Sequence, residues 1–176
     1  MKMQIINCLF ELIKTNFGED KWREILKRSG LNNLETYRKY VKGMDIDDDK
    51  AMEVVMVTTE ILGITLEQAA EAFGEYWVCT YAPRFYGNIY KRFKNIREFI
   101  EGMDEVHQEV TQLIPNSKPP RFEIEVIDDK SIKVHYKSER DMIAFYVGLV
   151  KGLSKYFNTA VEVKKLSKEF VEIKFS

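Results

Sequence analysis

The hydrophobic period of this chain changes near Pro115 and, one later helix apart, stays changed to the last residue, which constrains the fold more than any other feature. Before it, apolar residues recur every three or four positions. After Pro119 and Pro120 they recur every two. The first spacing puts one face of a helix on a core, and the second does the same for a strand. The sequence therefore predicts a mainly helical part over 1–114 and a sheet-forming part over 119–176.

The helical part has recognisable punctuation. Ile5, Ile6, Leu9, Ile13 and Phe17 mark a first helix that stops at Gly18. A short segment around Trp22, Ile25 and Leu26 ends near Gly30. Asp47 to Asp49 can cap a helix carrying Met52, Val55, Met56 and Ile61, closed by Gly63. Thr65 with Gln68 reads as a capping box opening a helix through Ala69, Ala72, Phe73 and Tyr76. Pro83 interrupts that pattern, and Arg84 to Gly87 read as a loop. Asn95 to Ile114 form another helix.

In the second part Phe122, Ile124 and Val126 alternate with acids, and Ile132, Val134 and Tyr136 alternate with Lys133, His135 and Lys137. Asp128, Asp129 and Lys130 make the turn of this hairpin, which keeps one wet face. A helix with Met142, Phe145, Leu149, Leu153 and Phe157 on one face follows. Two further alternating runs, Val161 with Val163 and Val171 with Ile173 and Phe175, close the chain. The expected class is α+β: helices, then a four-stranded antiparallel sheet with helices, all within one domain over 1–176.

Composition narrows the function classes. A chain of 176 residues, 45% hydrophobic and 31% charged, suits a soluble globule able to enclose a ligand. A net charge of −1 gives no basic surface for nucleic acid or anionic lipid. Glu11 and Lys14 break the apolar run of residues 1–17, so it is not read as a secretory signal. No run is long enough to insert in a membrane, and a cytoplasmic location is expected. Cys8 and Cys79 form no CxxC pair and are expected to be two buried thiols.

Two histidines are present. His135 lies on the polar face of its strand, where a solvent-facing role suffices. His107 fills the gap in a stripe made by Ile100, Met103, Val110 and Ile114. An imidazole on an apolar face needs a partner, either a carbonyl or an iron. One histidine cannot build a tetrahedral zinc site, whereas heme needs one protein ligand. Without a CxxCH motif, any heme is held non-covalently. Further on, Tyr136, Ser138 and Arg140 bring two hydroxyls and a guanidinium to a strand end, with Arg140 expected in the first turn of the next helix. Together they suit one anionic group. The alternative is ordinary structure, with Ser138 and Asp141 as an N-cap pair and Tyr136 as a core residue.

Met103-Asp104-Glu105-Val106-His107, then Pro119-Pro120-Arg121, then Tyr136-x-Ser138-x-Arg140 resemble, in order and spacing, the H-NOX family. This is the heme module of soluble guanylate cyclase and its bacterial relatives. Phe73-Gly74-Glu75-Tyr76-Trp77-Val78 and Gly148-Leu149 followed by Lys155-x-Phe157 extend the match over essentially the whole chain. The resemblance implies heme b buried between the helical and sheet parts. It makes His107 the proximal iron ligand and Tyr136, Ser138 and Arg140 the propionate-binding group. It sets Pro120 against the porphyrin and Trp77, Phe145 and Leu149 in the distal pocket.

Family members that bind oxygen stably carry a tyrosine three residues before the glycine matching Gly148. Here that residue is Phe145, which offers no donor. The resemblance thus implies a sensor for nitric oxide and carbon monoxide, not an enzyme. It would signal through release of His107 from the iron, to an effector in trans or on a longer chain, such as a histidine kinase, a cyclic-dinucleotide enzyme or a chemotaxis receptor. An oxygen sensor of the same family would need Trp77, Tyr76, Tyr81 or Tyr146 as donor. A peroxidase would want a distal acid–base group that these positions lack. A heme-free helical ligand- or protein-binding module would purify colourless.

Overall fold

The computed structural model describes residues 1–32, 45–114 and 116–176, so Pro115 lies outside the described residues. The chain groups into two compact units, Met1–Ala69 and Ala70–Ser176. The change of hydrophobic period therefore falls inside the second unit and marks a change of secondary structure.

The first unit holds α1 (Met3–Phe17), α2 (Glu19–Arg28), α3 (Asp48–Leu62) and the start of α4 (Leu66–Tyr76). Asp47 caps α3, accepting from the backbone N–H groups of Asp49 and Lys50 at 3.0 and 3.3 Å. Gly63 ends it in the left-handed conformation that glycine adopts without strain. Thr65 and Gln68 exchange the two hydrogen bonds of a capping box, at 3.2 and 2.9 Å. The buried faces differ from expectation. In α3 they are Ala51, Val54, Val55, Val57, Thr58 and Thr59, while Met56 is exposed. The threonines tolerate burial because their hydroxyls donate to Val54 O and Met56 O one turn back. In α1, Phe17 is exposed, and Met3, Cys8 and Phe10 join Ile6, Leu9 and Ile13 inside.

The second unit carries the rest of α4, a π-helical turn (Trp77–Tyr81), α5 (Pro83–Tyr90), α6 (Ile96–Leu113), β1 (Arg121–Asp128), β2 (Ser131–Lys137), α7 (Ile143–Tyr156), β3 (Val161–Lys165) and β4 (Phe170–Phe175). The sheet is wholly antiparallel in the order β1-β2-β4-β3. Ile132, Val134, Val171 and Ile173 are fully buried on its inner face. On β1 the alternation fades, because Val126 is exposed near the end of this edge strand.

Pro83 does not open a loop. It occupies the first position of α5, where its missing N–H costs no hydrogen bond, and Arg84 to Gly87 are helical apart from a kink at Tyr86 (φ −122°, ψ 20°). The π turn, in which Ala82 N–H donates to Trp77 O at 2.8 Å, carries the chain into it. Of the two cysteines, Cys8 is buried as expected. Cys79, on the π turn, is exposed, and its thiol reaches Gly152 O at 3.6 Å.

The α7 helix is buried on more than the one predicted face, with Ile143, Tyr146 and Val150 inside as well as Phe145 and Leu153. Glycines allow this. A Cβ on Gly148 would lie 2.1 Å from Ala70 O, and one on Gly74 would lie 2.2 Å from the Gly148 backbone. Gly148→Ala must therefore push α4 and α7 apart, at a cost of about 1–3 kcal/mol or more. Gly87, with open space around its Cα, is the control. Thermal denaturation should show a melting temperature several degrees lower for Gly148→Ala and little change for Gly87→Ala. Equal behaviour of the two variants would contradict the close crossing.

Candidate functional site

His107 sits in the second half of α6, which Asn95 starts by accepting the Glu98 N–H at 2.9 Å. Its Nδ1 lies 2.8 Å from Pro120 O, so Nδ1 carries the hydrogen and donates. The ring packs on Phe122 at 5.3 Å. Burial lowers its pKa below the ordinary histidine value, against the opposing influence of the Pro120 hydrogen bond, and the ring is neutral. Among the described residues nothing pairs with Nε2, which keeps its lone pair. The carbonyl anticipated from sequence is thus present, and it engages the nitrogen that a metal would leave alone. A metal-ligating histidine characteristically has its other N–H fixed in this way.

One turn before His107, Asp104 ties the same helix to β1. Its carboxylate accepts from Arg121 Nε and Nη2 at 2.7 and 2.6 Å, from Phe122 N–H at 2.9 Å and from Gln108 Nε2 at 3.0 Å. The Arg121 hydrogen bonds, with help from Phe122, hold its pKa well below the usual carboxylate range. Asp104 and Arg121 both lie in stretches that carry the family resemblance, but the sequence assigns a role to neither. They lie 17 positions apart, and each by itself reads as a surface charge.

The second cluster stands at the end of β2. Tyr136 is buried, and burial raises its phenol pKa while a hydrogen bond with Ser138 and the charge of Arg140 oppose that rise. Ser138 Oγ accepts the Arg140 N–H at 3.2 Å, and Arg140 Nη1 donates to Lys118 O at 2.6 Å. The three residues therefore lie together at the strand end. The local geometry does not follow the prediction: α7 begins at Ile143, so Arg140 lies in the turn before it. Ser138 bonds within this turn and not in an N-cap pair with Asp141, whose φ of 47° is left-handed.

The third cluster is aromatic. Trp77, half-buried on the π turn, stacks on Phe73 at 5.9 Å, and Phe73 meets the buried Phe145 edge-on at 5.6 Å. Tyr81 stacks on the other side of Trp77 at 5.4 Å. Leu149, half-buried, follows Phe145 by one turn of α7. His135 belongs to none of these clusters. It lies flat on Phe170 at 4.4 Å, between Glu123 and Glu169 on the polar face of the sheet. Among the described residues no group of three or more His, Cys, Asp or Glu side chains could hold a metal ion.

A family model described as haem-NO-binding matches residues 3–165. The soluble guanylate cyclase gcy-37 of Caenorhabditis elegans is 27% identical over 154 residues, covering 83% of this chain and 20% of that protein. A second, gcy-32, is 25% identical over 150 residues. The chain thus spans about a fifth of the length of these relatives. Among solved structures, an H-NOX protein from S. oneidensis in the Fe(II)NO ligation state superposes with a TM-score of 0.88 at 18% identity, covering 100% of this chain and 99% of that one. An oxygen-binding H-NOX domain related to soluble guanylate cyclases, in its oxygen complex, gives 0.80 at 26% identity, covering 100% and 95%.

Because folding lowers the pKa of Asp104, its contribution is fully present above the unfolded value of about 4 and is lost as the pH falls further. Asp104→Asn should cost about 1–2 kcal/mol at pH 7, a figure that allows for screening of the exposed Arg121. Denaturant titrations at pH 7 and pH 3 should show the gap to wild type narrowing at the lower pH. An unchanged gap would mean that the carboxylate charge is not the anchor.

Proposed function

The chain belongs to the H-NOX family, and from that premise we propose that it is a heme-based sensor for nitric oxide and carbon monoxide, with His107 as the proximal ligand. The observation carrying this reading is the neutral imidazole of His107, fixed through Nδ1 on Pro120 O with Nε2 uncommitted. The fold accords with the reading, since it is the fold of the H-NOX structures.

The residues present fit a heme. Nε2 of His107 would ligate the iron, and Tyr136, Ser138 and Arg140 offer two hydroxyls and a guanidinium to propionates. Pro120, whose carbonyl orients His107, is the residue to press on the porphyrin, and Trp77, Phe145 and Leu149 would line the distal side. Heme, when bound, supplies the iron that takes the gas. The remaining work belongs to the chain. Pro120 holds the His107 ring in one orientation, and Asp104 holds α6 to β1 at the same level. Any force applied at Nε2 is therefore delivered to α6 against a defined anchor. That is what a two-state signalling helix needs.

Selectivity follows from the aromatic cluster. Phe145 meets Phe73 ring to ring and provides no hydrogen-bond donor. Oxygen gains from such a donor and nitric oxide needs one much less, which favours nitric oxide. The oxygen-binding reading would require the indole N–H of Trp77 or the hydroxyl of Tyr81, which stacks on it, of Tyr76 or of Tyr146. The effector is proposed to be a separate protein or a further part of a longer chain, as the matched stretch is about a fifth of each relative's length.

The purified protein should carry about one heme per chain, held by a single histidine. His107→Gly should lose most heme or hold it only with added imidazole. Heme retained with an unchanged ferrous spectrum would remove His107 as ligand, and a colourless wild-type protein would remove the heme reading altogether. In air, the ferrous wild-type protein should form no long-lived oxygen complex, although it binds nitric oxide and carbon monoxide. A persistent oxy spectrum would make Trp77 or a nearby tyrosine a donor and overturn the selectivity.

A further inference from the structure

One buried polar group is left over by the site as described. Tyr146 is 8% exposed, its hydroxyl is shielded from solvent, and among the described residues that hydroxyl has no hydrogen-bond partner. Burial raises its pKa, so it remains a protonated donor. A buried donor without an acceptor is unfavourable, and phenylalanine would fill the same volume without that cost. The hydroxyl therefore points to an acceptor that the described residues do not supply.

The surroundings of the ring say which acceptor. Tyr146 stacks on Tyr136 at 5.5 Å with the planes 25° apart, and on Phe122 at 5.1 Å. Phe122 in turn contacts His107. The ring thus lies within a chain of rings running from the candidate iron ligand to the candidate propionate cluster. Phe145, the preceding residue, instead faces Phe73. Successive helix residues differ by about 100° in direction, which turns Tyr146 away from the distal aromatics. At the edge of a heme the strong acceptors are the propionate carboxylates.

We propose that the Tyr146 hydroxyl is a fourth donor to the heme propionates, beside Tyr136, Ser138 and Arg140. The assignment rests on the heme reading above. It makes Tyr146 a cofactor-retaining residue, with no role as donor to a bound gas.

The test uses the heme-loaded protein and follows heme transfer to excess apomyoglobin. Tyr146→Phe should lose protoheme roughly tenfold faster than wild type, the value of one hydrogen bond to a charged acceptor. With an iron porphyrin whose propionates are replaced by ethyl groups, the two proteins should lose the cofactor at the same rate. Equal rates with protoheme would overturn the proposal. So would equal acceleration with both porphyrins, which would assign the hydroxyl to the core or to the gas pocket. A wild-type chain that takes up neither porphyrin fails the heme reading itself, and is distinguished because it appears before any variant is made. A second measurement needs no variant. In the carbon monoxide complex labelled at tyrosine Cζ, two of the nine tyrosine resonances, Tyr136 and Tyr146, should shift between the two porphyrins. A shift confined to one resonance would leave Tyr136 as the only tyrosine on the propionates.

Discussion

The hydrogen bond from His107 Nδ1 to the Pro120 carbonyl is the interaction on which the rest of the candidate site depends. The carbonyl is available because β1 begins its ladder one residue later, at Arg121 paired with Lys137. Proline fixes its own φ and has no N–H to enter the ladder. The segment leading into β1 is thus well suited to present an oxygen to a neighbouring helix. The bond selects the tautomer of His107, and burial keeps the ring uncharged. An imidazole that is neutral, oriented and open at Nε2 is prepared as a ligand by the fold around it.

The other anchor of α6 works through charge. Asp104 and His107 are three residues apart on one helix and bind consecutive stretches of the same strand entry, Pro120 to Phe122. One contact is a single neutral hydrogen bond, and the other is a bidentate ion pair reinforced by a backbone N–H. The difference in strength matters. A disturbance at His107 meets the weaker contact first, while Asp104 keeps the helix attached to the sheet. The arrangement favours local adjustment of the histidine turn over loss of the whole helix.

The fold class is legible in the sequence because the hydrophobic period is a direct consequence of element geometry, and the capping devices of α3 and α4 stand where Asp47 and Thr65 indicate. Two features are not legible. A proline inside a helical pattern reads as a break, yet Pro83 at the first position of α5 removes no hydrogen bond, and a π turn absorbs the change of direction. Bulky residues suggest one face of α3 for the core, yet the buried side is built from valines and self-satisfied threonines. In the site, His107, Tyr136, Ser138 and Arg140 stand out because their spacing resembles a family pattern. Asp104 lies in a stretch that carries the resemblance but has no role assigned by it, and Tyr146 enters only as one of four side chains that could donate to oxygen. Asp104 depends on an arginine 17 residues away. The position of Tyr146 beside Tyr136 is not legible until its ring contacts are known and its hydroxyl proves to lack a partner among the described residues.

The burial of α7 explains how one helix can face two chemical environments. Gly148 and Gly152 let α4 approach until backbone meets backbone, so α7 is packed on the side that would otherwise carry bulky side chains. That close approach sets Phe145, which carries no donor of its own, against Phe73. The next residue, Tyr146, is turned toward the sheet, where Tyr136 and its polar neighbours lie. Two adjacent aromatic residues, differing by one hydroxyl, thus divide an apolar side from a polar side. Exchanging their identities would put a donor where the reading needs none and remove one where the structure leaves a hydroxyl waiting for an acceptor. The helical step between positions 145 and 146 is therefore as much a part of the proposed specificity as the side chains themselves.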